Sequence, residues 1–142
     1  FFTGSLISRF GAPRIVALGL AMEAAAAGIG LSGLTALHFW TTLIVLGAGW
    51  NFAFVGASAL VLETHRPAER NKVQAFNDFL VFGMMAIGSF ASGQLLASYG
   101  WNAVNLVVFP PVLLGLAVLG FASFARRRAR LREVDEFPEP SL

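Results

Sequence analysis

Leu62-Glu63-Thr64-His65-Arg66-Pro67-Ala68-Glu69-Arg70-Asn71-Lys72-Val73-Gln74-Ala75-Phe76-Asn77-Asp78 is the long polar run ahead of the C-terminal tail, and its reading decides the fold. It carries Glu63, Glu69 and Asp78, the cations Arg66, Arg70 and Lys72, and His65. The segments on either side are apolar and each is long enough to cross a bilayer, which takes about 20 residues. A loop this charged between two such segments must sit in water, and its sign indicates which water.

Composition agrees with a membrane setting. The chain has 142 residues, 56% hydrophobic and 13% charged, with a mean hydropathy of +0.70. A soluble domain carries about 25% charged residues, so this chain has half the charge needed to coat a globule. The pI near 9.9 does not imply nucleic acid, because the basic residues are few and fall at segment ends, where membrane proteins place them. Cysteine is absent, which removes disulfides and thiolate chemistry. Phe1-Phe2-Thr3-Gly4-Ser5-Leu6-Ile7 reads as the end of an apolar segment with no basic region before it. It is a poor signal peptide, and the expectation is a C-terminal portion of a longer protein.

Four stretches are predicted to span the membrane: 15–33, 39–62, 73–98 and 103–124, with 1–14 the end of a preceding helix and a cytoplasmic loop. Pro13 suits a first helical turn, and Pro110-Pro111 are expected to kink or break the start of the fourth span. The tail, 125–142, is charged and then Pro-rich, and is expected to end without structure. Arg9 and Arg14 precede the first span; Arg66, Arg70 and Lys72 lie between the second and third. Arg126, Arg127, Arg128, Arg130 and Arg132 follow the fourth, while 34–38 and 99–102 contain no Lys or Arg. All basic residues thus fall on one side, which the positive-inside rule makes cytoplasmic: loops 9–14 and 63–72 and the C-terminus. The tail arginines serve mainly as a topology anchor and can also attract anionic lipid. Trp40, Tyr99 and Trp101 belong to the opposite interface, as interfacial aromatics should. Small residues at four-residue spacing, Ala24-Gly28-Ser32 and Ser89-Gly93, are expected to let helices approach closely.

Polar residues at membrane depth are costly and face protein or a wet cavity. Glu23, near the middle of the first span, is expected to be uncharged or paired; it serves either proton coupling or a plain interhelical hydrogen bond. Trp50, Phe54 and Ser58 share a helical face at i, i+4 and i+8, with Asn51 beside them. An indole, a ring, a hydroxyl and an amide flanked by glycines suit a flat, partly polar ligand, or else helix packing with one amide bond. Asn77 and Asp78 lie about one turn into the third span, where a carboxylate either favours the helix start or gates.

The run Gly4-Ser5-Leu6-Ile7-Ser8-Arg9-Phe10-Gly11-Ala12-Pro13-Arg14 resembles the second-half copy of the major facilitator superfamily loop motif, G-x-L-x-D-R-x-G-R-K. Gly4, Leu6, Arg9 and Gly11 match; Ser8 replaces the acid and Ala12-Pro13 the basic pair, so an ion pair at those positions is not carried over. Glu63, Pro67 and Arg70 resemble the Glu…Pro…Arg pattern at the cytoplasmic end of that family's tenth helix. The resemblance implies an all-α, twelve-helix secondary transporter working by alternating access, of which this chain supplies helices nine to twelve. The remaining eight helices of the same protein, the lipid bilayer and a small-molecule substrate are the implied partners, in a bacterial inner (plasma) membrane. It implies substrate contacts at Trp50, Asn51, Phe54 and Ser58 on the tenth helix. A gate of Arg9, Glu63, Arg70 and Asp78 follows at the cytoplasmic ends, and the first and fourth spans become peripheral supports, which weakens Glu23 as a proton carrier. Gly83, Gly88, Ser89, Ser92 and Gly93 become a sliding surface on the third span. The runs 74–82 and Gly49-Trp50-Asn51-Phe52 also resemble a bacterial subgroup of permeases; riboflavin-like vitamins are the substrate class this suggests, without fixing it.

Rival readings are a small four-helix multidrug exporter acting as a dimer, an integral-membrane enzyme, and an assembly subunit. Against an enzyme, His38 and His65 lie on opposite sides, and no His, Asp or Glu cluster has metal-ligand spacing. No cofactor and no metal are expected.

Overall fold

In a bilayer every backbone N–H and C=O must find its partner within the protein, so apolar segments of this length fold as helices. The computed structural model describes residues 2–63 and 65–136; the side chains of Phe2, Arg126 and Arg127, and of 129–136, lie outside that description. Five helices follow in order: α1 Phe2–Phe10, α2 Ala12–Ser32, α3 Ala36–Glu63, α4 Arg70–Leu106 and α5 Phe109–Glu136. Three apolar stretches are long enough to cross a membrane: Ala12–Ser32, Ala36–Glu63 and the 56 residues Arg70–Ala125. The last is interrupted at Gly100 (φ 78°, ψ −177°) and by a turn at 107–108, which divides it into two arms.

The segment ends differ from the sequence expectation in three places. The loop expected over 9–14 reduces to Gly11, whose φ of 83° is readily adopted only by glycine. Arg9 belongs to the last turn of α1, and Pro13 to the first turn of α2. Pro110-Pro111 do not kink a running helix; the break comes before them, and they occupy the first turn of α5, where a proline lacks no needed N–H. The charged part of the tail is helical through Glu136, consistent with its Arg, Ala, Leu and Glu content. Residues 137–142, expected to lack structure, lie outside the described residues.

The helices run alternately up and down. Val16 meets Gly56, Gly19 meets Ala53, and Met22 meets Gly49, a falling register that makes α2 and α3 antiparallel. Phe82 packs on Phe54 at 6.2 Å, and Trp101 on Phe39 at 5.8 Å, so α4 returns along α3. Asn105 sits by Gly30 and Gly115 by Leu20, so α5 runs back along α2. The buried apolar side chains are Ala12, Ile15, Val16, Ala26 and Ala27 on α2 and Val112 on α5. Within this bundle α2 is therefore the most enclosed helix. One end of the bundle gathers Arg9, Arg14, Arg66, Arg70 and Lys72; the other gathers Trp101, His38 and the uncharged turn at Gly33.

Small residues do set the closest helix contact, but not the ones expected. A Cβ at Gly19 would strike the backbone of Ala53 and Gly49. One at Gly49 would come within 3.0 Å of the Gly19 carbonyl and the Met22 Cβ, and one at Gly56 within 2.7 Å of Val16 Cγ2. Gly28 and Gly93, from the four-residue stripes, face open space in this bundle. Forcing side-chain atoms into a packed interface costs about 1–3 kcal/mol. Gly49→Val is therefore expected to lower the thermal midpoint of the full-length protein in detergent by several degrees, and Gly28→Val to leave it within about a degree. Equal shifts for the two variants would place the α2–α3 contact elsewhere.

Candidate substrate cavity

Between α2, α3, α4 and α5 lies a cleft of 650 Å³, within the range of about 300–1,000 Å³ usual for small-ligand sites. Its walls are mainly apolar, with Trp50, Phe54 and Ser58 from α3, Glu23 from α2 and Asn77 from α4. The i, i+4, i+8 spacing on α3 thus brings its three residues onto one wall. Trp50 and Phe54 stack nearly parallel, with ring centroids 5.9 Å apart and planes 10° from each other, and Phe82 tilts against Phe54 from α4. Ser58 Oγ is buried and has no hydrogen-bond partner. A shielded hydroxyl with unmet bonding capacity, beside two stacked rings, presents one polar point in an aromatic cleft.

Asn51 lies just outside this cleft, on the exposed side of α3. Its Oδ1 accepts a hydrogen bond from Thr3 Oγ1 at 2.7 Å, which ties α1 to α3 and orients the amide so that Nδ2 remains a donor. Trp50 borders both regions, being 40% exposed while lining the cleft. The aromatic wall therefore extends onto the open face where Asn51 stands. Glu23 lines the cleft at the level of Gly49, whose Cβ position lies 3.1 Å from the Glu23 amide nitrogen; the absence of a side chain at Gly49 is what lets α2 bring Glu23 this close.

The expected charge cluster is gathered at one end but is not joined. Arg9, Glu63 and Arg70 are exposed, and no ion pair links them to one another or to Asp78 among the described residues. Arg9 lies over the Phe10 ring at 5.4 Å. Asp78 Oδ1 instead accepts from Gln74 Nε2 at 2.7 Å and from Asn77 Nδ2 at 3.5 Å. Gln74 Oε1 is buried without a partner. Gln74 thus joins the residues expected from sequence, and its i, i+4 spacing to Asp78 is the signal of such a bond. Asn105, which no sequence signal marks, is only 7% exposed and donates through Nδ2 to the Trp101 carbonyl at 2.9 Å. No group of three His, Cys, Asp or Glu side chains positioned to hold a metal ion occurs among the described residues.

Residues 1–141 match the Major Facilitator Superfamily. Over 119 residues the chain is 54% identical to the riboflavin transporter RfnT of Brucella anthropi, an alignment covering 84% of this chain and 30% of that protein. Two MFS-type transporters of Bacillus subtilis are also similar. YddS is 28% identical over 106 residues, 73% of this chain and 24% of its own length. YdeG is 34% identical over 65 residues, 46% of this chain and 15% of its own length. The chain spans less than a third of the length of these curated relatives, and no solved structure matches it. Apolar helices long enough to cross a membrane, in a chain that matches one family over residues 1–141, place it in the Major Facilitator Superfamily, to which it belongs.

Proposed function

We propose that this chain forms the last four membrane-spanning helices of a twelve-helix secondary transporter that moves riboflavin, or a closely similar flat heterocycle, by alternating access. The observation that carries the substrate reading is the near-parallel Trp50–Phe54 stack, with the unpartnered Ser58 hydroxyl on one side and the Thr3-oriented Asn51 amide on the other. A fused aromatic ring extends such a stack, since offset-stacked rings attract at centroid separations of about 4.5–7 Å. Ring carbonyls and N–H groups then meet Ser58 and Asn51 at the polar edge. The 54% identity to a riboflavin transporter supports the same substrate. Glu23, the carboxyl lining the cleft, is the candidate group for proton coupling.

In this reading the basic end faces the cytoplasm of a bacterial inner membrane, because short loops rich in Lys and Arg stay inside, and the C-terminus lies there too. The other eight helices cover the exposed face of α4, where Gly83, Gly88 and Gly93 meet nothing in this bundle and so offer a smooth surface for sliding. Arg9, Glu63 and Arg70 form the cytoplasmic gate by pairing in the state that closes this end, with Asp78 and its Gln74 partner one turn deeper.

Four outcomes test this reading in the full-length transporter. Riboflavin raises the thermal midpoint of the purified protein and accumulates in proteoliposomes. Trp50→Ala weakens riboflavin binding by roughly 5- to 150-fold, the equivalent of the ~1–3 kcal/mol of one aromatic stacking contact. A wild-type protein with neither shift nor uptake rules out the substrate. Ser58→Ala weakens binding about fivefold, since one hydrogen bond contributes about 1 kcal/mol. It leaves the unliganded midpoint unchanged or higher because the buried hydroxyl had no partner; a lowered midpoint with unaltered binding makes Ser58 structural. Glu63→Gln shifts the balance between inward- and outward-open states by about tenfold, or ~1.4 kcal/mol. Unchanged uptake together with unchanged state populations removes Glu63 from the gate.

A further inference from the structure

A second cavity lies at the opposite end of the bundle from the basic residues. It measures 240 Å³ and is lined by residues of the α2–α3 turn, by His38, Phe39 and Thr42 of α3, and by Trp101. At just under the range of about 300–1,000 Å³ typical of whole-ligand pockets, it suits a ring system rather than a complete ribityl-bearing molecule. Phe39 and Trp101 supply two rings 5.8 Å apart at 42°.

Its walls are built rather than incidental. Trp101 Nε1 donates to the Gly30 carbonyl at 2.8 Å, and Asn105 holds the Trp101 carbonyl at 2.9 Å while its own Oδ1 lies against Gly30. His38 Nδ1 and Thr35 Oγ1 are 2.7 Å apart, and the imidazole lies flush against Gly33, where a Cβ would meet it at 2.7 Å. Against these fixed walls stands one unmet group. Thr42 is 6% exposed, lines the cavity, and its Oγ1 has no hydrogen-bond partner. A buried hydroxyl in apolar surroundings is unfavourable until something bonds it, and a polar group entering this cavity would supply that bond.

We propose that this cavity is an outer binding site for the fused heteroaromatic ring of the substrate, separate from the Trp50–Phe54 cleft. The ring lies against Trp101 and Phe39, and a ring carbonyl or N–H pairs with Thr42 Oγ1. Trp50, Phe54 and Ser58 lie further along α3 toward the basic end, so the two sites are successive positions for one ligand crossing the membrane. The inference rests on the proposed transport of riboflavin and adds a second position to it.

The test is equilibrium binding of riboflavin to the purified full-length transporter, with variants at each site. Wild type binds two riboflavin molecules per transporter. Thr42→Val, which keeps shape but removes the hydroxyl, weakens one class of site at least fivefold and leaves the other; Thr42→Ser restores it. Trp50→Ala shows the reverse selectivity. The unliganded thermal midpoint of Thr42→Val is unchanged or raised, and a lowered midpoint marks the hydroxyl as structural and overturns the outer site. A single riboflavin site lost in Trp50→Ala and untouched in Thr42→Val overturns the outer site while keeping the transport reading. No riboflavin binding to the wild type overturns both.

Discussion

The bundle depends on the close approach of two backbones, α2 and α3, at Gly19, Gly49 and Gly56. Lipid chains are as apolar as the helix surfaces, so no hydrophobic drive presses these helices together, and close packing must supply the attraction instead. Missing side chains at three crossings let the α2 backbone reach within contact of Ala53 and let the Met22 Cβ rest on Gly49. With α3 fixed in this way, its free surface is committed: Trp50, Phe54 and Ser58 meet the cleft, and Asn51 stands beside them at its exposed margin. Glu23 enters the same cleft only because it sits beside Met22 at a crossing where the partner is glycine.

Local chemistry at the ends then sets the return path. Gly100 adopts φ 78°, a backbone conformation open to glycine and strained for other residues, and directs Trp101 toward α2 rather than onward along α4. The hydrogen bond from Trp101 Nε1 to the Gly30 carbonyl and the burial of Asn105 follow from that one turn. A short polar clasp therefore joins the end of α4 to α2, and α5 begins from it with prolines already suited to a first turn.

The helical class, the grouping of basic residues at one end and the shared wall of Trp50, Phe54 and Ser58 were legible in the sequence. They depend on hydropathy and on a period of 3.6, both local quantities. The family was legible from Gly4, Leu6, Arg9 and Gly11 with Glu63, Pro67 and Arg70. The packing glycines were not, because fifteen glycines in an apolar chain form many four-residue stripes, and only the register between two helices selects Gly19 and Gly49 over Gly28 and Gly93. The partner of Asn51 was hidden for the same reason: Thr3 is 48 residues away. Thr42 and Asn105 look like ordinary helix residues until burial separates a bonded amide from an unbonded hydroxyl.

The two ends of the bundle differ in how readily their contacts can change. Breaking the Trp101–Gly30 and Asn105–Trp101 bonds strands part-buried donors and acceptors, which costs about 1–3 kcal/mol for each group left unmet. At the basic end the charges are exposed and unjoined among the described residues, and an exposed ion pair is worth only about 0–1 kcal/mol. Forming or breaking pairs there requires little free energy, while the uncharged end keeps its shape. Pairing among Arg9, Glu63 and Arg70 can therefore change without disturbing the clasp at Trp101. The cavity at the uncharged end has that clasp as its wall, so its shape does not depend on how the charges at the basic end pair.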